Sequence, residues 1–129
     1  MKTKIFLRGL LLFAVISALA ETTPDYTAVE AAKHVGETAT VTDKVDGVHK
    51  AKGGSIFLNM GGAHPNEAFT AFIPGKSAEQ FTDFQKYEGA TITVSGKIVS
   101  HDGKPEIVVN SPEQITIKEA AKEKPKSDS

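Results

Sequence analysis

Apolar and polar positions alternate most clearly in two runs, Ser55-Ile-Phe-Leu-Asn-Met60 and Glu67-Ala-Phe-Thr-Ala-Phe-Ile73. A period of two predicts strands. Between them Gly61-Gly62 and Pro65-Asn66 stop either strand from continuing, so the pair predicts a hairpin. Alternation puts Ile56, Leu58 and Met60 on one face and Phe57 and Asn59 on the other. In the second strand it separates Phe69, Ala71 and Ile73 from Ala68, Thr70 and Phe72. One face must be core. The other sets aromatic rings beside short polar groups, which suits a binding surface as well as a second packing layer.

The rest of the chain is arranged around this hairpin. Thr27-Ala-Val-Glu30 has the spacing of a capping box and predicts a short helix with Val29, Ala32 and Val35 on one side, ended by Gly36. From Glu37 to about Val48 the pattern predicts a first strand, with Thr38, Thr40 and Thr42 toward water and Ala39 and Val41 inward. After the hairpin, Pro74-Gly75 breaks the sheet and Ser77 with Gln80 predicts a second helix, its Phe81 and Phe84 sharing one face. Gly75-Lys76-Ser77 is not a phosphate-binding loop, because the glycine that motif needs upstream is Thr70, inside a strand. Gly89 to Val99 predicts a fourth strand. It echoes the first: Gly36-Glu-Thr-Ala-Thr-Val-Thr-Asp-Lys-Val45 against Gly89-Ala-Thr-Ile-Thr-Val-Ser-Gly-Lys-Ile98. Ser100 to Lys104 is a turn. Pro105–Asn110 with Gln114–Lys118 predicts a fifth strand, broken or bent at Ser111-Pro112.

The two ends differ from this pattern. Lys2, Lys4 and Arg8 accompany an apolar run from Leu10 to Leu19, and Ala18-Leu19-Ala20 places small residues around a bulky one before Glu21. That is the layout of a secretory signal peptide, residues 1–20, cleaved after Ala20. The apolar run is shorter than the ~20 residues a membrane-spanning helix needs, so the expected product is secreted or periplasmic rather than an integral membrane protein. From Glu119 to Ser129 no apolar group is larger than Ala, which predicts a disordered, charged tail. Residues 21–118 are left as one domain. With no Cys in the chain, it has no disulfide to staple it.

The order strand, strand, strand, helix, strand, strand, behind a short helix, predicts an all-β fold: a five-stranded OB-fold barrel with its helix between strands three and four. Ala32-Lys-His-Val-Gly36, Phe57-Leu-Asn-Met-Gly-Gly62, Phe69-Thr-Ala-Phe-Ile73, Tyr87-Glu-Gly89, Val94-Ser-Gly-Lys-Ile98 and Gly103-Lys-Pro-Glu-Ile107 carry a family resemblance. The chain from Ala28 to Lys118 resembles small exported bacterial OB-fold domains of the nucleic-acid-binding, tRNA-anticodon-binding-like type. Two positions depart from that pattern. Asp43 stands where the first strand often carries Gly, so a bulge there falls to Asp, and Met60 replaces an aromatic residue before the double glycine.

An OB-fold binds across strands two and three, between the loops joining strands one to two and four to five. Carried onto this chain, the resemblance implies ligand-binding residues Phe57, Asn59, Thr70 and Phe72, with Lys50 and Lys52 from one loop and His101 and Lys104 from the other. The expected partner is single-stranded nucleic acid, held by base stacking. Charge tempers this, because after Ala20 the chain has twelve lysines, no arginine and sixteen acidic residues, a net charge of −4 with His neutral. Without a concentrated basic patch the counterion-release contribution is small, and affinity is expected to be micromolar or weaker. The alternative is an envelope protein, peptide or oligosaccharide on the same face. A lysine-lined groove favours nucleic acid, and a neutral one favours protein or sugar. Asp43, Asp46 and His49 recur every third residue, but that spacing scatters them over both faces of a strand, so no metal is expected. The chain has no Cys nucleophile, no Gly-x-Ser-x-Gly elbow and no Arg after residue 20. A non-catalytic, cofactor-free monomer is therefore expected.

Overall fold

The computed structural model describes residues 22–122. The expected signal peptide, and residues 123–129 of the expected tail, lie outside the described residues.

Among the described residues seven strands form a mostly β structure: β1 (Asp25–Tyr26), β2 (Thr38–Lys50), β3 (Ile56–Met60), β4 (Phe69–Ile73), β5 (Thr91–His101), β6 (Lys104–Val108) and β7 (Ile115–Glu119). Five of them close a ring, β2-β3-β4-β6-β5 and back to β2, while β1 flanks β2 and β7 flanks β5. The β4–β6 pairing is parallel, and the other ring pairings are antiparallel. Closure depends on β2 serving two partners in turn. Thr38–Lys44 pairs with β5, and Val45–Lys50 pairs with β3.

The change of partner occurs at an extra residue. The register with β3 shifts between Val45 and Gly47, which makes Asp46 the bulged position. A bulge bends the strand and raises its twist, as a ring this small requires. The expected bulge at Asp43 is therefore corrected. Asp43 pairs regularly with Ile92, and its carboxylate accepts the Ala28 N–H at 3.0 Å and the Lys44 N–H at 2.9 Å. The echoing segments turn out to be neighbours. Thr42 faces Thr93, and their hydroxyls share a hydrogen bond of 2.7 Å.

The core lies inside the ring and is built by the alternation read from the sequence. Ile56, Leu58, Met60, Phe69, Ala71 and Ile73 from the hairpin are fully buried against Val41, Val45, Ile92, Val94, Ile98 and Ile107. Burying side chains of this size contributes about 1.5–3 kcal/mol each, which makes register in these strands hard to slip.

Neither expected helix forms as an α-helix. The reciprocal bonds of the first capping box are present, with the Thr27 N–H donating to Glu30 Oε1 at 2.9 Å and the Glu30 N–H to Thr27 Oγ1 at 3.2 Å. They open only a 3₁₀ turn, Glu30–Lys33. So short a segment cannot recover the cost of α-helix nucleation, and tertiary anchoring by Asp43 decides its path. The inward face is also different, with Ala28 and Ala31 buried and Val29, Ala32 and Val35 exposed.

In place of the second helix, between β4 and β5, are two 3₁₀ turns, Gly75–Gln80 and Phe84–Tyr87. The Ser77–Gln80 capping box is absent because both side chains are used elsewhere. Ser77 Oγ donates to Asn110 Oδ1 at 3.3 Å and Gln80 Nε2 to the Asn110 carbonyl at 3.1 Å, pinning the β6–β7 connection. The break at Ser111-Pro112 is complete. Ser111 and Gln114 form a capping box around a 3₁₀ turn, and β7 leaves β6 to pair with β5.

Candidate ligand-binding cleft

The outward parity of the barrel strands puts two cross-strand rows beside each other. One row runs His49, Phe57, Phe72, Val108 and the next runs Gly47, Asn59, Thr70, Glu106, both across β2, β3, β4 and β6. In the first row Phe57 and Phe72 are half-buried with ring centroids 5.1 Å apart at 56°, and the His49 ring lies 6.0 Å from that of Phe57. In the second, Thr70 Oγ1 donates to Asn59 Oδ1 at 3.1 Å, and both residues are buried.

Two connections wall these rows into a cleft of about 600 Å³. The β3–β4 loop supplies His64 and Glu67. The β5–β6 hairpin supplies His101, Asp102, Lys104 and Pro105, with Glu106 following. That hairpin turns on Asp102-Gly103, whose φ values of 52° and 81° suit a tight two-residue turn and which sets His101 opposite Lys104. Lys104 then ties the walls together, its Nζ donating to the Pro65 carbonyl at 2.7 Å and lying 3.3 Å from Glu67 Oε2. A second depression of about 550 Å³, between Lys44–Asp46 and Glu119–Lys122, has neither an aromatic ring nor a histidine.

The two enclosed carboxylates of the cleft differ in electrostatics. Burial pushes the Glu67 carboxyl up, but its own backbone amide, Lys104 and His64 more than offset this and leave it below the usual carboxylate range. Glu106 goes the other way. Burial dominates and raises its pKa, His101 offsets part of this, and Asp102 adds to the rise. The difference comes from the partner, since Lys104 sits on Glu67 and, among the described residues, no ammonium reaches Glu106.

Of the residues picked out in the sequence, Phe57, Asn59, Thr70, His101 and Lys104 line the cleft, and Phe72 packs against Phe57 beside it. Lys50 and Lys52 do not line it. Lys50 has the inward parity of its partner Ile56, and at the end of the barrel its Nζ sits 5.5 Å over the Phe84 ring. Lys52 is exposed in the β2–β3 loop. The sequence reading missed Glu67, Glu106 and His64 as cleft residues, and considered His49 only as a metal ligand. Glu106 and His49 were open to the period-two argument, since each alternates with an inward neighbour, Ile107 and Val48. His64 was not, because a loop gives no parity, and Glu67, read as the start of the second strand with the inward parity of Phe69, lies instead in the loop before β4 begins at Phe69. Among the described residues no group of three His, Asp or Glu is placed to hold a metal ion, and no helix is long and apolar enough to cross a membrane.

No family model and no curated protein matches the chain. Solved structures do. A protein assigned as an aspartyl-tRNA synthetase from Leishmania major Friedlin aligns over 85% of this chain and 23% of its own, with 13% identity and a TM-score of 0.53. The Entamoeba histolytica asparaginyl-tRNA synthetase in complex with asparaginyl-adenylate aligns over 78% of this chain and 25% of its own, with 14% identity and a TM-score of 0.51. The chain thus spans about a quarter of each, and at this identity what is shared is the fold of a β-barrel.

Proposed function

We propose that the chain is an exported, non-catalytic binding module of the OB-fold type, working as a monomer and taking single-stranded nucleic acid across β3 and β4. The observation that carries this reading is the half-buried Phe57–Phe72 pair on the outer face, at the edge of a cleft large enough for a base. Stacking on such a ring contributes about 1–3 kcal/mol per base and tolerates any sequence. The barrel likeness to two tRNA synthetases adds support from proteins whose names tie them to a nucleic acid. Export rests on the signal-peptide pattern of residues 1–20. N-terminal sequencing of secreted material should begin at Glu21.

The cleft charge dictates how binding behaves. Its one lysine, Lys104, is already engaged by Glu67, so few phosphates can be neutralised. Affinity in the micromolar range with a shallow salt slope, near ~0.7 per phosphate contacted, is expected. Fluorescence anisotropy with a labelled single-stranded oligonucleotide across a salt series tests this on the wild type, Phe57→Ala and Phe72→Ala. Saturable binding weakened by loss of either ring supports the reading, and no binding at low salt removes it. The same charge balance favours a second reading. One lysine among Glu67, Asp102 and Glu106 leaves the groove net acidic, which disfavours phosphates and suits an envelope protein, peptide or oligosaccharide. Pull-downs and oligosaccharide arrays test that alternative.

A further inference from the structure

Three of the chain's four histidines, His49, His64 and His101, line the cleft, and all three are exposed. They come from β2, the β3–β4 loop and the end of β5, so closure of the barrel brings them together. The other titratable groups of the lining are Lys104, Glu67, Asp102 and Glu106, while Phe57, Asn59 and Thr70, which β3 and β4 contribute, do not titrate. One ammonium against three carboxylates gives the cleft a formal charge of −2 with its imidazoles neutral and +1 with all three protonated. Imidazole is the side chain that makes this change between about pH 5 and 8. Burial raises the Glu106 carboxyl above its ordinary value, with Asp102 adding and His101 opposing, so negative charge is also lost early as pH falls.

The His49 ring stands 6.0 Å from that of Phe57, beside the place where a base would stack. His64 Nδ1 lies 3.4 Å from Glu67 Oε1, an enclosed acceptor with no hydrogen-bond partner. Protonation puts a hydrogen on Nδ1 whatever the starting tautomer, so the charged ring satisfies that acceptor, and at 74% exposure it stays open to a ligand. His101 Nε2 lies 3.4 Å from Asp102 Oδ2 with both side chains well exposed, and such a pair holds its cation weakly. We infer that the cleft is a proton-gated phosphate groove, repelling a nucleic-acid backbone when its imidazoles are neutral and attracting it when they are charged. This deepens the nucleic-acid reading and rests on it. By linkage, a ligand that prefers the protonated cleft binds more tightly as pH falls. A phosphate within about 4–6 Å of an imidazole favours its charged form by about one pKa unit or more, so each such contact contributes about tenfold.

The test follows the anisotropy of an oligothymidylate with a pH-insensitive rhodamine label, bound to the purified protein at constant low salt from about pH 8 to 5.5. Thymine has no group that titrates in that range. Affinity should rise at least about tenfold toward the acid end, and the rise should shrink as salt is added. The triple variant His49→Gln, His64→Gln, His101→Gln should flatten the profile. His34→Gln, whose ring lies against Tyr26 away from the cleft, should keep it. If the triple variant does not fold, the three single variants decide, and slopes all equal to that of wild type overturn the inference. Wild-type affinity that is constant across the range overturns it while leaving the stacking site standing, as does a triple variant as steep as wild type. Loss of the wild-type fold at the acid end, read by circular dichroism, also overturns it, since a groove that binds in acid must be folded there. No binding at any pH removes the nucleic-acid reading and this inference together.

Discussion

Tyr26 and His34 lie face to face, their ring centroids 3.7 Å apart and their planes at 5°, and both reach one carboxylate. The Tyr26 hydroxyl donates to Glu37 Oε1 at 2.6 Å, and His34 Nδ1 meets Oε2 at 2.8 Å. The Tyr26 hydrogen bond first, then that of His34, holds the Glu37 carboxyl below the usual carboxylate range. The Glu37 hydrogen bond first, then burial and the charges of Glu37 and Glu30, pushes the Tyr26 phenol up. The contribution of a depressed carboxylate is present above its unfolded pKa and lost as pH falls through the folded one. That of a raised phenol is present below its unfolded pKa and lost as pH rises through the folded one. The stability difference between wild type and Glu37→Gln, from urea unfolding, should therefore be flat from about pH 5 to 9 and shrink at both ends. A difference constant from about pH 3 to 11 would show that the cluster contributes nothing through ionisation.

Stability and binding should separate within one hairpin. Phe69 points inward and is fully buried, whereas Phe57, three positions before Phe69's partner Met60 and so of opposite parity, faces out. Phe69→Ala opens a core cavity and should cost about 3–5 kcal/mol. Phe57→Ala chiefly loses the pairing with Phe72, about 0.5–1.5 kcal/mol, together with part of its burial. It should nevertheless weaken oligonucleotide binding more than any surface substitution distant from the cleft. Urea midpoints and anisotropy on the same two variants check this. A Phe57→Ala protein as unstable as Phe69→Ala would make that ring structural.

The inward faces of the strands were legible because alternation and burial are the same fact seen twice. Ile56, Leu58 and Met60, or Phe69, Ala71 and Ile73, have one place to go once a barrel closes. What a local pattern cannot carry is competition from distant groups. Ser77 and Gln80 have capping-box spacing, yet Asn110, thirty residues on, takes both side chains. Asp43 looked like the bulge by analogy with a glycine, yet its carboxylate is committed to Ala28 and the extra residue is Asp46. The site divides the same way. Phe57, Asn59 and Thr70 followed from strand parity, while Glu67 and His64 come from a loop whose position is set by Lys104 reaching across from another hairpin.

Glu106 carries a charge in a place that disfavours it. Burial first, with Asp102 adding and His101 opposing, raises its pKa. A raised carboxyl gives its full contribution below the unfolded carboxylate pKa and loses it as pH rises through the folded value. Glu106→Gln, which does not titrate, should therefore gain stability over wild type as pH rises from about 4 toward neutrality, and stay ahead above that. Denaturation midpoints of both proteins across that range decide it. A wild type more stable than Glu106→Gln at neutral pH would mean that the ionised carboxylate has a favourable partner.

Two glycines of the cleft walls should respond differently to the same substitution. At Gly103 φ is +81° and an added Cβ meets nothing within 4 Å, so Gly103→Ala carries only the backbone penalty, about 1 kcal/mol. At Gly62 φ is +124° and an added Cβ would stand 2.7 Å from the Asn66 carbonyl oxygen and 3.5 Å from the Glu67 Cα. That oxygen belongs to backbone, so the loop itself must move, straining the bond of 2.7 Å that the Gly62 N–H donates to Asp46 Oδ2. Gly62→Ala should be the more destabilising of the two, costing more than about 2 kcal/mol. Because the displaced segment runs into Glu67 in the cleft wall, it should also weaken oligonucleotide binding, which Gly103→Ala should preserve. Unfolding and anisotropy measurements on the pair check both halves. A Gly62→Ala variant that is destabilised yet binds the oligonucleotide as wild type does would show that the cleft does not depend on the position of this loop.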